Sequence, residues 1–301
     1  MSKENKNTAR IFEIKRFAIH DGDGIRTTVF FKGCPLRCVW CHNPEGLTGK
    51  KELGFFSHKC SSCGKCVSVC EAGVHFFNEK GERKVNRREC IGCGKCVAEC
   101  PSEALVLYGR DVSVEELLPI LTEDAEFYKA SNGGVTLSGG ECLMWADFCA
   151  ELLEKLHEKG IRTAVDTCGD VPREAILKVL PHTDVFLYDI KLFDSERHEW
   201  FTGRPNDRIL DNLRFLDSVG APCEIRIPYV PEINGEELEK IAGFLSGLSN
   251  IVRVRVLPYH DLARSKYGAI GLKECMPKKI PTEKQLLRAK SYFENINSKN
   301  G

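Results

Sequence analysis

Cysteine most constrains what this chain can fold into, because eleven of its sixteen cysteines lie before residue 101, in three tight runs. The first run is Cys34, Cys38 and Cys41, with the spacing C-x3-C-x2-C. The other two share the spacing C-x2-C-x2-C-x3-C and comprise Cys60, Cys63, Cys66 and Cys70, then Cys90, Cys93, Cys96 and Cys100. In a chain that we expect to be cytosolic, thiols at this density indicate metal sites and not a disulfide framework.

The composition excludes several classes of partner. Lysine and arginine together number 43 and aspartate and glutamate also number 43, so no net field attracts nucleic acid or an anionic membrane. The opening MSKENKNTAR has no apolar segment, and no run of 18 apolar residues follows anywhere. We therefore expect a cytoplasmic protein that binds neither nucleic acid nor membrane. We also expect a monomer.

The duplicated runs have the ligand spacing of bacterial two-cluster ferredoxins, in which the fourth cysteine of one run binds the cluster of the other. This rule predicts one 4Fe-4S cluster on Cys60, Cys63, Cys66 and Cys100, and a second on Cys90, Cys93, Cys96 and Cys70. The alternative is structural zinc, which usually takes two C-x2-C pairs separated by a dozen or more residues. The spacing favours iron-sulfur clusters in a small module that we place at residues 50–110.

The first run supplies only three thiols, and the next cysteine is Cys60. Three thiolates hold three irons of a cubane and leave the fourth iron open, where a substrate can bind as it does at open catalytic metal sites. The alternative is a fourth ligand from His42 or Cys142, which would close an ordinary electron-transfer site. The open site is favoured because of the residues around the run.

The rest of the chain alternates strand-like and helix-like segments. Apolar, β-branched runs are followed by amphipathic helical patterns, as in a parallel sheet built from right-handed crossovers. The six predicted strands fall within residues 27–34, 134–140, 161–169, 184–191, 223–231 and 251–260. We therefore predict an α/β fold, a partial (β/α)6 TIM-like barrel formed by residues 1–49 and 111–301 that carries the bacterial ferredoxin-like domain as an insert. A doubly wound sheet is the alternative.

The segment HDGDGIRTTVFFKGCPLRCVWCHNPEG resembles the signature of the glycyl radical enzyme activating enzymes, a branch of the radical S-adenosylmethionine (SAM) superfamily. The resemblance covers nearly the whole chain, and the inserted two-cluster module is similar to that of activases that serve dehydratases and lyases. It implies three 4Fe-4S clusters and SAM as cofactors. It also implies that SAM is cleaved by one electron to methionine and a 5′-deoxyadenosyl radical, which takes a hydrogen atom from a backbone glycine of a partner glycyl radical enzyme.

Further roles follow from the same resemblance. SGGE resembles the element in which Gly139, Gly140 and Glu141 approach the methionyl amine of SAM. VDTCG and LYDIK are similar to elements in which Asp166, Thr167 and Asp189 hold a monovalent cation, with Lys191 nearby as a candidate catalytic residue. Arg226 and His260 match positions that contact SAM, and Trp40 matches the aromatic position against the adenine.

Position along the predicted strands supports these assignments independently. The candidates at or just past the ends of five different predicted strands, where barrel enzymes gather their active sites, are Cys34, Gly139 to Glu141, Asp166, Asp189 and His260. Each also has a simpler interpretation: the two aspartates as helix N-caps, Lys191 as a solvated charge and His260 as a loop hydrogen-bond donor. The five remaining cysteines are interpreted as free thiols without a role: Cys142, Cys149, Cys168, Cys223 and Cys275.

Three functional hypotheses remain at this point. The first is an activase whose electrons arrive from flavodoxin or ferredoxin through the inserted clusters. The second is an electron carrier that neither binds nor cleaves SAM. The third is a radical SAM enzyme acting on another substrate. Sequence does not identify which glycyl radical enzyme an activase of this kind would serve.

Overall fold

The computed structural model describes residues 7–299. The first six residues of the opening segment MSKENKNTAR, in which we expect no export signal, lie outside the described residues. The strands within that range are β1 (Thr8–Ala18), β2 (Arg26–Phe31), β3 (Glu52–Phe55), β4 (His75–Phe77), β5 (Arg83–Val85), β6 (Leu105–Tyr108), β7 (Arg110–Ser113), β8 (Gly134–Gly139), β9 (Arg162–Thr167), β10 (Val185–Asp189), β11 (Cys223–Tyr229) and β12 (Ile251–Pro258).

The α-helices alternate with the later strands. They are α1 (Lys65–Ser68), α2 (Lys95–Ala98), α3 (Val114–Thr122), α4 (Ala125–Ser131), α5 (Ala146–Glu158), α6 (Arg173–Val179), α7 (Ser195–Thr202), α8 (Asp207–Ser218), α9 (Pro231–Asn234), α10 (Leu238–Ser246), α11 (Arg264–Ile270), α12 (Glu283–Ser291) and α13 (Glu294–Lys299). None of the helices in the described part of the chain combines the length and apolarity needed to cross a bilayer.

The central sheet is mostly parallel, with the strand order β12-β11-β10-β9-β8-β2-β1-β7. All six strands expected from the sequence are present, and neighbours among them pair in parallel. Their order follows the chain without reversal, whereas a doubly wound sheet requires a reversal at its switch point. The doubly wound alternative is therefore wrong, and the confirmed class is an α/β fold with a mostly parallel sheet.

Strands β1 and β7 were not expected. They pair antiparallel with each other, and β1 also pairs antiparallel with β2, so together they extend the parallel sheet at one edge. In β1, buried Ala9 and Ile11 alternate with more exposed polar residues. This period of two is the pattern of a strand with one face on the core. Isolated apolar residues that alternate with polar ones predict a strand less strongly than the continuous apolar runs of the buried parallel strands do.

The helices that cover the sheet bury one apolar stripe each. In α5, Phe148, Leu152 and Leu156 recur every fourth residue and are buried in the main core. The helix α3 begins with a capping box, since the Ser113 hydroxyl accepts from the Glu116 amide and the Glu116 carboxylate accepts from the Ser113 amide. Packing of such stripes against the sheet positions the ends of the strands.

Residues 52–108 have a small core of their own, separate from the core under the large sheet. Strand β3 pairs antiparallel with β6, and β4 pairs antiparallel with β5. The segment VHFFNEKGERKVN predicts a hairpin around Lys80 and Gly81, and the structure has one there, at the turn between β4 and β5, where Gly81 has a φ of +72°. The short helices α1 and α2 both follow a glycine in the left-handed conformation, as expected of a duplicated unit.

Candidate active site

A cavity of about 230 Å³ opens at the carboxyl ends of the parallel strands. Most of the site residues that the sequence indicated line it: Cys34, Cys38, Trp40, Cys41, Gly139, Gly140, Asp166, Thr167, Asp189, Lys191 and Arg226. They come from the loop after β2 and from β8, β9, β10 and β11. The fold therefore brings side chains that are far apart in sequence to one site, as expected for the carboxyl edge of such a sheet.

The three-cysteine loop is fixed by backbone hydrogen bonds to the turn that follows it. The amides of Gly33 and Cys34 donate to the carbonyls of Gly46 and Leu47, at 2.8 and 3.2 Å. Burial raises the pKa of both Cys38 and Cys41 to about 12. Thiols in such surroundings ionise when a metal replaces their protons, so the loop suits a positively charged cluster core better than free thiolates.

The structure adds a fourth cysteine to this cavity that the sequence analysis left without a role. Cys168 follows β9, is 6% exposed and lines the same cavity. A hydrogen bond from Cys168 lowers the pKa of the Cys34 thiol against the opposing effect of burial. No spacing signal distinguishes Cys168, because its proximity to Cys34 arises from the pairing of separate strands.

Of the two alternative fourth ligands, Cys142 lies outside the cavity and His42 lies in its wall. The Sγ of Cys142 donates to the carbonyls of Leu137 and Asp166, both at 3.5 Å, and does not line the cavity. His42 lines the cavity, but its Nε2 hydrogen-bonds to the backbone carbonyl of His260 at 2.8 Å. Closure of the site by Cys142 is therefore wrong, and the Nε2 of His42 is already occupied.

Two carboxylates enter the cavity from neighbouring strands, each beside a cation. Asp166 accepts a hydrogen bond from Ser138 at 2.6 Å, and Arg226 Nη1 lies 3.7 Å from its Oδ2. Burial, reinforced by the charge of Asp189, raises the pKa of Asp166 to about 7 despite Arg226. The positive charge of Arg226 alone therefore does not offset the cost of ionising Asp166 in this buried position.

Asp189 pairs with Lys191, whose Nζ donates to its Oδ2 at 2.7 Å. Burial has the largest single effect and alone would lower the pKa of Lys191, but the charges of Asp189, Cys38 and Cys168 and the hydrogen bond to Asp189 together raise that pKa well above its ordinary value. Lys191 is 9% exposed, so the interpretation as a solvated charge is wrong. The N-cap interpretation of the aspartates is also wrong, because the N-caps of α6 and α7 are Pro172 and Asp194.

The side chain of Glu141 does not line the cavity. It is fully buried and accepts hydrogen bonds from Thr167 Oγ1 at 2.9 Å, from the Cys168 amide at 2.8 Å and from the Leu143 amide at 3.1 Å. The expected contact between Glu141 and a ligand is therefore not formed by its carboxylate, which instead joins the loops after β8 and β9. A strand-end position in the sequence does not specify which way a side chain turns, so this orientation of the carboxylate could not be predicted.

His260 is also displaced from the expected position. Its side chain is exposed and outside the cavity lining, and its ring stacks on that of His42 with centroids 4.0 Å apart. Tyr259, the preceding residue, lines the cavity instead and is 3% exposed. The expected ligand contact of His260 is thus not supported, whereas Tyr259 is a wall residue that the sequence analysis missed.

Two other residues that the sequence indicated, Trp40 and Arg226, line the cavity. Trp40 is 4% exposed, lines the cavity and packs with Leu192, Val230 and Tyr259. Arg226 is 4% exposed in the interior of β11, and its Nη2 donates to the carbonyl of His20 at 2.8 Å. Both side chains therefore form part of the cavity wall.

The eight cysteines of the duplicated runs line two further cavities in residues 52–108. Cys60, Cys63, Cys66 and Cys100 line one, and Cys70, Cys90, Cys93 and Cys96 line the other. The last cysteine of each run therefore lies with the first three of the other run. Among the described residues, no three histidine, cysteine or acidic side chains converge on a position for a single metal ion.

Comparison with known proteins completes this description. The sequence profile of the Radical SAM superfamily matches residues 28–245. The chain belongs to the radical SAM superfamily. Its membership implies a 4Fe-4S cluster and SAM, and it confirms that the chain is an enzyme performing radical chemistry.

Full-length relatives refine the position within the superfamily. The chain is 43% identical to the trans-4-hydroxy-L-proline dehydratase activating enzyme of Clostridioides difficile, over 97% of this chain and 98% of that protein. It is 41% identical to the choline trimethylamine-lyase activating enzyme of Oleidesulfovibrio alaskensis, over 87% of each. The expected membership among the activating enzymes of the radical SAM superfamily is therefore confirmed.

One solved structure supports the fold alone. The Streptococcus suis protein SuiB bound to the precursor peptide SuiA is 17% identical, with a TM-score of 0.52 over 88% of this chain and 44% of that protein. At this identity the likeness concerns the architecture of the radical SAM fold and not the substrate.

Proposed function

We propose that this radical SAM enzyme is an activase that installs a glycyl radical in a partner dehydratase or lyase. The observation that carries the proposal is the strand-end cavity, where Cys34, Cys38 and Cys41 meet the carboxylates of Asp166 and Asp189. Relatives that activate a dehydratase and a lyase match the chain along nearly its entire length. The partner would present one backbone glycine to this cavity.

The cavity residues fit a cluster with one open iron. The three thiols of the loop would hold three irons, and the fourth iron would be left for SAM. Cys168 lines the same cavity but stands outside the C-x3-C-x2-C run, so we assign it no iron. When bound and reduced, the cluster supplies the electron that cleaves SAM.

The charged side chains of the cavity would orient SAM. Asp166 is the group most in need of a cation, since burial raises its pKa to about 7. A monovalent cation between Asp166 and Asp189, or the ammonium of SAM, would supply that charge. Thr167 lines the same cavity and would contribute an oxygen ligand to the cation. Lys191 would keep the Asp189 carboxylate ionised and oriented in the cavity through the hydrogen bond from its Nζ.

Residues 50–110 would form a ferredoxin-like domain with two further 4Fe-4S clusters. The grouping of the eight thiols in two cavities supports this, with ligands exchanged between the runs as in two-cluster ferredoxins. Zinc would need four ligands around one ion, and the described residues offer no such convergence. Residues 1–49 and 111–301 would form the partial (β/α)6 barrel, which the unreversed strand order supports.

The inserted clusters would relay electrons from a flavodoxin or a ferredoxin to the SAM site. Their four thiolates are all supplied by protein, so they offer no open position for a substrate. We further propose that the protein acts as a cytoplasmic monomer.

The experiment that tests the function uses anaerobically reconstituted protein. We expect about 12 irons per chain, the sum of three cubanes, and reductive cleavage of SAM to 5′-deoxyadenosine. Cys38→Ala should abolish cleavage under every reductant. Cys63→Ala and Cys93→Ala should lose cleavage driven by a protein donor and retain much of it with a small chemical reductant.

Two results would contradict the proposal. A full-rate Cys38→Ala variant would show that the strand-end cavity is not the reaction site. About 8 irons per chain after full reconstitution would contradict the three-cluster content.

A further inference from the structure

The hairpin of β4 and β5 carries a buried pair of side chains between the two cysteine-lined cavities. His75 and Arg83 are 3% and 8% exposed, while Phe76 and Lys84, which follow them in their strands, are exposed. The period of two along each strand places His75 and Arg83 on the same face of the hairpin. That face is directed toward the small core of residues 52–108.

The contact between the two side chains fixes the histidine tautomer. Arg83 Nη2 hydrogen-bonds to His75 Nδ1. A guanidinium only donates, so Nδ1 must accept the hydrogen bond and the ring proton must lie on Nε2. Burial and the charges of Arg83 and Arg87 lower the pKa of His75 to about 4, which keeps the ring neutral near pH 7.

The Nε2–H of His75 has no partner among the described residues, although it is buried. An unpaired buried donor costs about 1–3 kcal/mol, so native proteins rarely retain one without a function or a bound group that satisfies it. His75 lines the cavity of Cys70, Cys90, Cys93 and Cys96. A sulfur atom of a cluster bound in that cavity would be the hydrogen-bond acceptor that the Nε2–H of His75 lacks.

Arg83 reaches the other cavity at the same time. Its Nε donates to the Sγ of Cys66 at 3.0 Å, and its guanidinium lies 4.4 Å from the centre of the Phe55 ring. Arg83 and Cys66 both line the cavity that also contains Cys60 and Cys100. A continuous path therefore runs from Cys66 through Arg83 and His75 to the second cavity.

The histidine of this pair is present in the first cysteine repeat but not at the equivalent position of the second. The position equivalent to His75, 30 residues later, is Leu105, which lines the cavity of Cys60, Cys63, Cys66 and Cys100. One cavity therefore has a histidine donor at this position and the other an aliphatic side chain. The two sites receive different polar contacts although their cysteine spacings are the same.

We propose that His75 and Arg83 form a hydrogen-bonded bridge between the two inserted clusters and set the reduction potential of each. Arg83 donates to the Cys66 thiolate of one cluster, and His75 Nε2–H donates to a sulfur of the other. This assignment rests on the proposed cluster content. Hydrogen bonds to cluster sulfurs are a principal determinant of potential, and they favour the reduced cluster because it carries the larger negative charge.

The test measures the potentials of the inserted clusters in the reconstituted enzyme by EPR-monitored redox titration. His75→Leu reproduces the residue of the other repeat and removes the donor. It should lower the potential of the Cys70, Cys90, Cys93 and Cys96 cluster so that its reduced-to-oxidised ratio at a fixed potential falls about tenfold, 59 mV for one electron. His75→Gln, which retains an N–H donor, should recover part of that shift.

Arg83→Met should lower chiefly the potential of the cluster that includes Cys66. The matched control is Lys84→Met, which removes an exposed cation from the same strand without removing a donor to sulfur. It should shift both potentials less than Arg83→Met does. In protein with ¹⁵N-labelled histidine, hyperfine spectra of the reduced wild type should show a nitrogen coupling that His75→Leu lacks.

Iron content separates the possible failures. Wild-type protein with only the SAM-site cluster would contradict the proposed cluster content, and this assignment would fail with it. Full iron content together with unchanged potentials and unchanged hyperfine spectra in His75→Leu would overturn the bridge alone. A shift in Lys84→Met equal to that in Arg83→Met would show that net charge, and not the hydrogen bond, sets the potential.

Discussion

Lys32 offers the sharpest test of how the inserted residues are joined to the sheet. It follows β2, its side chain is fully buried, and its Nζ donates to the Glu45 carbonyl at 2.6 Å and to the Glu52 carboxylate at 2.7 Å. Glu45 belongs to the turn after the three-cysteine loop, and Glu52 begins β3. One ammonium thus joins the sheet, the site loop and the base of the insert.

The cost of Lys32→Met follows from what it leaves behind. Breaking a buried ion pair by removing one partner costs about 3–5 kcal/mol, because the remaining charge is uncompensated. The Glu52 side chain retains 22% exposure, so water reaches its carboxylate and the lower figure applies. We expect the free energy of local opening at β3 and β6 to fall by about 3 kcal/mol, which corresponds to roughly 10²-fold faster amide exchange.

Hydrogen–deuterium exchange of peptides covering β3 and β6 measures this change in the reconstituted protein. The matched control is Lys51→Met, because Lys51 forms an exposed pair with Asp111 at 3.1 Å, and such pairs contribute at most about 1 kcal/mol. A double-mutant cycle of Lys32→Met with Glu52→Gln should show coupling of about 1 kcal/mol or more. Equal exchange in Lys32→Met and Lys51→Met would refute the argument.

Two further predictions concern the cavity and its supporting loop. Because the pKa of Asp166 is raised to about 7, protonation of Asp166 competes with cation and SAM binding below that pH. SAM affinity measured anaerobically should therefore rise about tenfold from pH 6 to pH 8. In Asp166→Asn the SAM affinity should change little over the same pH range. A flat wild-type profile would contradict this. Gly169→Ala should lower the free energy of unfolding by about 2–4 kcal/mol, since a Cβ at Gly169 would lie 1.9 Å from Tyr188 Oη and the φ is +75°. Gly160→Ala, at a φ of +69° with open space around it, should cost only about 1 kcal/mol in chemical denaturation, and equal losses would rule out the clash.

Much of the fold was predictable because its signals are local. The parallel strands are continuous apolar runs, and the hairpin of the insert has a glycine at its turn. The antiparallel strand β1 has only alternating apolar positions, so its identity as a strand depends on pairing with β2 and β7.

The site was predictable in its members but not in their orientations. Spacing indicates Cys34, Cys38 and Cys41, while the family resemblance indicates Asp166 and Asp189, whose strand-end positions agree with it. By contrast, the carboxylate of Glu141 turns into a buried network and the ring of His260 turns out of the cavity. Such rotations depend on hydrogen-bond partners from other strands, which no single stretch of sequence specifies.

The central claim is that the strand-end cavity generates the oxidant that removes a hydrogen atom from a glycine of another protein. The most direct measurement combines the reduced enzyme and SAM with the glycyl radical enzyme encoded next to its gene, prepared with glycine deuterated at Cα. We predict an EPR doublet-to-singlet change for the glycyl radical on deuteration, and one deuterium in each 5′-deoxyadenosine formed with a radical. Formation of 5′-deoxyadenosine without deuterium, and without a radical on the partner, would contradict the account.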